Sequence, residues 1–345
     1  MSSIERKRGH IKHALAQTSK SASAFDAVRL KHCALPEVNL DEVSLKSSFQ
    51  HKTINAPFFV SSMTGGPSEA EAINIRLAEA CREVGLAMGV GSQRVSIEDG
   101  YSAGLSASIR RAIGDLPLFA NFGAVNLAKL DHVSSLGRVI DPLEADALIL
   151  HVNPMQEVFQ ASGDTDWTGI LSQIEKVCAW SAIPVIAKEV GFGLDTRSAR
   201  QLVTAGVSIL DVAGRGGTRF DDIEIEMHSN ISSVLSSPDV FKDWGYTTIE
   251  SLRAILNELP AQRCWASGGV RNGLDIVKSL CLGAEAAGMA GRLLKPALES
   301  TEAVISVMHQ LLSEIRIACF GLGVRSVKDL GQSHIFQLSG RPLDM

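Results

Sequence analysis

What the chain lacks narrows its reading first. No cysteine stands in a Cys-x-x-Cys pair: Cys33, Cys81, Cys178, Cys264, Cys281 and Cys319 are scattered singly through 345 residues. A disulfide framework is therefore not read here, and buried thiols in a reduced cytoplasmic compartment are expected. No apolar run reaches the length of a membrane span, so no membrane contact is expected. The N-terminus, Met1-Ser-Ser-Ile-Glu-Arg-Lys-Arg, carries positive charge with no apolar stretch behind it, and no secretory signal is read there. Basic residues are not in excess. A net charge of −5 and a pI near 6.0 speak against nucleic acid as a partner. Finally, no clean Gly-x-Gly-x-x-Gly follows the first apolar run, which weakens a doubly wound dinucleotide fold.

What is present supports a sizeable core. The chain is 45% hydrophobic and 21% charged, and its length suits one large domain or two ordinary ones. Residues 1 to about 55 read as an arm and an irregular extension, with one helix near His10 to Ala16 and a basic cluster, Arg6-Lys7-Arg8, that by itself reads as a solvated terminus. From 56 to 345 a rhythm appears. Eight short apolar runs begin at Phe58, Leu86, Leu118, Ala147, Pro184, Ile209, Cys264 and Ala286, and helical segments such as Glu69 to Val84 and Thr196 to Ala205 separate them. Strands alternating with helices imply parallel βαβ units. Eight of them imply an α/β fold of the (β/α)₈ barrel type, with an open doubly wound sheet as the alternative. Gly214 to Thr247 is a long intervening loop, of the kind that serves as a lid, a binding loop or a disordered segment. Ala303 to Phe320 reads as a C-terminal packing helix.

In such barrels the chemistry gathers where strands end. The fourth run ends in His151-Val-Asn153-Pro-Met-Gln156-Glu157. Alternation puts His151 and Asn153 on one face; Pro154 stops the ladder, and Gln156 and Glu157 are expected in the loop beyond. The cluster suits a polar, metal-bearing ligand, and equally a strand end whose polar groups satisfy one another. The last three strand ends are glycine-rich: Gly214-Arg-Gly-Gly217-Thr218, Ser267-Gly268-Gly269-Val270-Arg271 and Ala290-Gly291-Arg292. Loops leading into helix N-termini there form a phosphate cradle. Lys188 ends an apolar run on the inward face, where a lysine is costly unless it meets an anion. It reads as a Schiff-base lysine, as a charged group beside an anionic ligand, or as a partner of Glu189 or another carboxylate. A flavin mononucleotide fits the second option, its phosphate in the cradle and its ring against the amine.

These residues resemble those of type 2 isopentenyl-diphosphate isomerase, the flavin-dependent family. The motifs Met63-Thr-Gly-Gly, His151-Val-Asn-x-x-Gln-Glu, Lys188-Glu-Val-Gly-Phe-Gly and Gly216-Gly-Thr carry the resemblance, which spans nearly the whole chain. It implies an isomerase that interconverts isopentenyl and dimethylallyl diphosphate with reduced FMN, Mg²⁺ and a nicotinamide reductant, NADPH. It implies FMN contacts at Met63, Thr64, Gly65, Ser92, Asn121, Lys188, Thr218, Gly268, Gly269, Val270, Ala290 and Gly291. The diphosphate would meet Arg6, Lys7, His10, Ser92, Gln93, Arg94, Asn153 and Gln156, and Glu157 would hold Mg²⁺. His151, Gln156 and Lys188 are the side chains expected to assist catalysis. The resemblance also implies a cytoplasmic homo-oligomer, tetramer or octamer, whose N-terminal arm reaches a neighbour's site, against the solvated-terminus reading of Arg6 and Lys7.

Two departures stand out. Ala213-Gly-Arg215-Gly-Gly-Thr218 replaces the family's usual Ser-Gly-Lys-Gly-Gly-Thr, and Gln160-Ala161-Ser162-Gly163 lacks a carboxylate usual in that loop. Rival readings fit less well. An α-hydroxy-acid oxidase needs a histidine base after a late strand, and none lies in 209–220 or 264–271; an inosine-monophosphate-dehydrogenase-like enzyme needs a cysteine in 214–218, which has none. A non-catalytic flavin binder needs neither Glu157 nor Arg94.

Overall fold

Three short strands come first: β1 (Val28–Leu30), β2 (Ser47–Phe49) and β3 (Lys52–Ile54). The eight apolar runs then form β4 (Phe58–Val60), β5 (Ala87–Gly89), β6 (Leu118–Gly123), β7 (Ala147–Val152), β8 (Val185–Glu189), β9 (Ile209–Asp211), β10 (Cys264–Ala266) and β11 (Ala286–Met289), and β12 (Ile335–Leu338) closes the series. These assignments come from a computed structural model, which describes residues 9, 23–63, 68–98, 107–160, 162–227 and 238–338. Strands β4 to β11 pair in parallel, in sequence order, and β11 returns to β4. The result is the closed (β/α)₈ barrel.

The runs are continuously apolar because both faces of each strand are covered. Outward residues such as Phe58, Val60, Leu148, Leu150, Val185 and Leu210 pack under the helices. Inward residues alternate with them: Phe59, Ala87, Phe119, Ile149, Ile186, Ile209 and Trp265 fill the lower barrel. Helix starts are fixed by side chains that accept otherwise unpaired N–H groups. Asp195 caps Thr196–Thr204, Asn272 caps Gly273–Cys281 and Ser300 caps Thr301–Gly321. Thr247 and Glu250 make a reciprocal capping box on Thr248–Glu258.

The segment before the barrel is less irregular than expected. β2 and β3 pair as an antiparallel hairpin. Phe49 and Ile54 of the hairpin are buried with the inward-facing floor residues. The Phe49 ring lies 4.9 Å from Phe119 and 5.7 Å from Trp265, which itself lies 4.7 Å from Phe59. This aromatic cluster stoppers the N-terminal end of the barrel. β1 pairs antiparallel with β12, so the extension is sewn to the chain's C-terminal strand.

Three further expectations need correction. Gln156 and Glu157 lie on a short helix, Pro154–Phe159, not in a loop. Pro154 ends the ladder and then starts the helix, where its missing N–H costs nothing. The 214–247 segment holds a helix, Phe220–Met227, and a 3₁₀ turn, Pro238–Phe241; the part between them lies outside the described residues. Thr301–Gly321 is long and apolar enough by composition to cross a membrane. Its stripe of Val304, Met308, Leu311, Ile315 and Cys319 is nonetheless buried in the main core, as expected of a packing helix.

Candidate functional site at the C-terminal mouth of the barrel

The alternation that buries Ile149, Ile186 and Ile209 carries on up the strands and turns polar. Two residues further along, the same inward faces present His151, Lys188 and Asp211. Asn121 and Ser267 join them from β6 and the end of β10. This polar tier sits directly above a dry floor.

Lys188 is 8% exposed, and its ammonium lies inside the barrel. It donates to Ser267 Oγ at 2.5 Å and lies 3.0 Å from Asp211 Oδ2. Ser267 in turn donates to Asp211 Oδ1 from its hydroxyl, 2.7 Å, and from its main chain, 3.1 Å. The lysine's partner is thus Asp211, not Glu189, because consecutive strand residues face opposite ways. Glu189 turns outward, and its Oε2 accepts the N–H groups of Phe192 at 2.5 Å and Gly193 at 3.0 Å. Burial pushes the Glu189 carboxyl up to about 8.

His151 is half-buried beside Lys188. Its Nδ1 lies 2.7 Å from Asn121 Oδ1. An amide oxygen only accepts, so Nδ1 carries the hydrogen and Nε2 keeps a lone pair. Burial, with the Lys188 charge second, lowers the His151 pKa to about 4, so the ring is neutral at ordinary pH. Gln93 fastens this side: its Oε1 accepts the Asn121 N–H at 3.1 Å and its Nε2 donates to Val139 O at 2.9 Å. Its amide serves the scaffold on both ends.

Around Glu157 the geometry is equally specific. Asn153 Nδ2 donates to Glu157 Oε1 at 2.9 Å and to Gln156 Oε1 at 3.1 Å. Asp164 N donates to Glu157 Oε2 at 2.8 Å. The Asp164 carboxylate holds Lys129 Nζ at 2.6 Å and faces Arg94 Nη1 at 3.6 Å. Gly163 makes this turn possible: a Cβ there would stand 1.8 Å from Glu157 O. Gln156 Nε2 lies 3.5 Å from Oε1 of Glu224, a fully buried carboxylate on Phe220–Met227.

The glycine loops pack on one another. A Cβ on Gly268, which has φ +87°, would stand 2.2 Å from Gly214 O, and one on Gly269, φ +75°, 2.9 Å from Gly216 C. Thr248 Oγ1 donates to the carbonyls of Ser267 and Gly268 and holds this double loop. Gly291 opens the nine-residue helix Gly291–Glu299, and nothing lies within 4 Å of where its Cβ would be. Open space before a helix N-terminus admits an anion. Two buried acceptors at the mouth, Ser62 Oγ and Asn153 Oδ1, have no hydrogen-bond partner among the described residues. Such atoms fit a site completed by a ligand.

Open space at Gly291, the helix N-terminus it begins and the buried ammonium of Lys188 at the same mouth suit a flavin phosphate and ring. Among the described residues no three His, Cys, Asp or Glu side chains gather as a metal cage. Glu157 alone suits a magnesium ion that brings the substrate's phosphate oxygens as its other ligands.

Of the expected site residues, the structure brings His151, Asn121 and Lys188 into one tier, and Asn153, Gln156 and Glu157 into a second cluster. Met63, Ser92, Thr218, Val270 and Ala290 lie at strand ends or in the loops after them, around the same mouth. Arg6, Lys7, His10, Thr64 and Gly65 lie outside the described residues. Arg215, one of the departures, is engaged with Asp243, Nη2 to Oδ1 at 3.0 Å. Asp211, Glu224, Asp164 and Lys129 were not singled out in the sequence, and Ser267 entered only as the first residue of a glycine-rich strand end. Asp211 had a signal, a carboxylate inside an apolar run; the others had none without the fold.

A family model described as FMN-dependent dehydrogenase matches residues 135–337. An isopentenyl-diphosphate delta-isomerase from Xanthobacter autotrophicus is 43% identical over 328 residues, 94% of this chain and 95% of its own. Proteins of the same name from Vibrio campbellii and Nostoc are 44% and 41% identical over 93% and 96% of this chain, and 94% and 95% of theirs. Among solved structures, (S)-mandelate dehydrogenase superposes with a TM-score of 0.67 at 15% identity over 97% of both chains. A lactate oxidase from Pediococcus acidilactici gives 0.64 at 19% identity over 94% of this chain and 88% of its own. The structural likenesses establish the fold alone.

Proposed function

Because the chain belongs to the isopentenyl-diphosphate delta-isomerase family, in its FMN-dependent form, we propose that it interconverts isopentenyl and dimethylallyl diphosphate at the C-terminal mouth of the barrel. The reaction adds a proton at one end of an allyl unit and removes one from the other. When bound, reduced FMN supplies the acid–base group for this shift, and NADPH only reduces it, since substrate and product share one oxidation level.

The protein's own residues supply position and charge. Gly268, Gly269, Val270, Ala290, Gly291 and Thr218 would hold the FMN phosphate, with Met63, Thr64, Gly65, Ser92 and Asn121 toward the rest of the cofactor. Lys188 would face the electron-rich edge of the ring. Asn153, Gln156, Ser92 and Arg94 would orient the diphosphate, with buried Gln93 bracing Asn121 and not reaching substrate; Glu157 would share its Mg²⁺, and neutral His151 would offer Nε2 as an acceptor. Arg6, Lys7 and His10 would close over the site from a neighbouring subunit of a cytoplasmic tetramer or octamer.

The observation that carries this reading is the inward Lys188 ammonium above a closed apolar floor, with open space at Gly291 where a helix begins at the same mouth. An anaerobic assay of the purified protein tests it. With FMN reduced beforehand, isopentenyl diphosphate should convert; with FMN left oxidised, it should not. Equal inactivity in both would overturn the proposal.

A further inference from the structure

Lys188 does not stand alone, and we infer that two positioning residues act on it: Asp211 tempers its charge toward a bound isoalloxazine, and Ser267 orients its ammonium. The inference rests on the FMN reading and deepens it.

The register sets the arrangement. Lys188 and Asp211 are direct partners across the β8–β9 ladder, and His151 is the partner of Lys188 on the other side. The ammonium therefore has a neutral imidazole on one flank and a carboxylate on the other. Asp211 is 0% exposed. Its Oδ1 takes both hydrogens of Ser267, while Oδ2 faces the ammonium at 3.0 Å without a hydrogen bond. Lys188 itself donates to Ser267 Oγ. The three side chains form a closed triangle, in which one ammonium hydrogen is directed at Ser267 Oγ and the Asp211 carboxylate holds the charge as an ion pair.

A simple strut between strands would not need this composition. An apolar pair of similar volume holds a barrel wall at least as well as a buried ion pair. The triangle does something an apolar pair cannot. It sets a carboxylate against the ammonium in a dry place, fixes the ammonium's orientation through Ser267 while leaving two hydrogens for a ligand, and offsets the positive charge of the tier. A lone buried ammonium would favour negative charge on the ring without restraint, and so favour the reduced, anionic form strongly. With Asp211 behind it, the lysine supplies a directed hydrogen bond while the carboxylate offsets its long-range field. That suits an enzyme whose cofactor gives and takes protons with no net redox change.

The test uses the full chain as apoprotein reconstituted with FMN. Binding of oxidised FMN is titrated directly, and the midpoint potential of the bound flavin then gives the ratio of reduced to oxidised affinity. Asp211→Asn should shift that ratio by about tenfold toward reduced FMN, the scale on which one buried charge acts on a neighbour. Lys188→Met should shift it the opposite way, and Lys188→Met with Asp211→Asn should return it toward wild type. Ser267→Ala, which keeps both charges, should weaken binding of both forms and leave the ratio within about twofold. If Asp211→Asn does not fold, the double variant against Lys188→Met alone reads the same effect. An unchanged ratio in both comparisons reduces Asp211 to a strut and overturns the inference. A wild-type protein that retains no FMN overturns the cofactor reading instead, a separate result.

Discussion

Glu189 shows how one side chain can stabilise a loop and still oppose its own charge. Two N–H groups favour the carboxylate, yet burial dominates and lifts its pKa from 4.5 to about 8. Between those values the folded protein keeps a proton that the unfolded chain has released. Stability from this group is fully present below about 4.5 and is lost as pH rises to about 8. Glu189→Gln removes the titration while keeping an acceptor oxygen. Urea midpoints at pH 5 and pH 8 should therefore lie closer together in the variant than in wild type, and an unchanged gap would contradict the assignment. At Glu157 the charge itself is the point. Glu157→Gln keeps an oxygen for Asn153 but removes the anion, so Mg²⁺ stimulation should vanish; a variant with wild-type metal dependence would remove that role. Sequence reasoning reached Lys188 and Glu157 because each is charged at the end of an apolar run or beside a strand stop. It passed over Asp211, which sits within Ile209-Leu-Asp-Val-Ala213 and reads as part of the strand. It also missed Glu224, sixty-eight positions from Gln156, because only the fold brings them together.

At the scale of elements, the turn after Pro154–Phe159 is the most constrained. Gly163 presses against Glu157 O, and the next residue's N–H holds the Glu157 carboxylate. Gly163→Ala should push that N–H away, weaken Mg²⁺ dependence by about tenfold, and leave FMN retention near wild type. Loss of FMN in step with metal response would place the turn elsewhere in the mechanism. The eight barrel strands were legible because each is a short apolar run with clear punctuation and a helix behind it. The helix Pro154–Phe159 was not. Proline signals the end of a ladder and the start of a helix with the same missing N–H, and only the packing around it decides between them.

For the molecule as a whole, the hairpin and the arm carry the consequences. Phe49 closes the barrel floor against Phe119 and Trp265. Phe49→Ala should cost about 3–5 kcal/mol in a denaturant melt, with the midpoint potential of bound FMN unchanged. A shifted potential would mean that the floor and the polar tier are not independent. The hairpin escaped sequence reading because its strands are three residues each and mostly polar, with one buried residue apiece. The eightfold rhythm was the opposite case, since repetition over the whole chain outweighs error in any one run. For the arm, Arg6→Ala with Lys7→Ala should raise the substrate concentration needed for half-maximal rate while sparing FMN binding. Normal kinetics would return those residues to the role of a solvated terminus.

The turn just before β1 holds a place of its own. Asp26 pairs with Arg271 at 3.0 Å, and Lys278 donates to Phe25 O at 2.8 Å. Arg271 follows the glycines after β10, and its carbonyl accepts from Arg292, second residue of the helix Gly291–Glu299. The launch point of the arm is thus moored to the same two loops that face the open end of the barrel. Linkage through one guanidinium runs both ways: whatever seats the loops steadies Asp26 and the turn that leads into β1, and whatever pulls on that turn is felt at the loops.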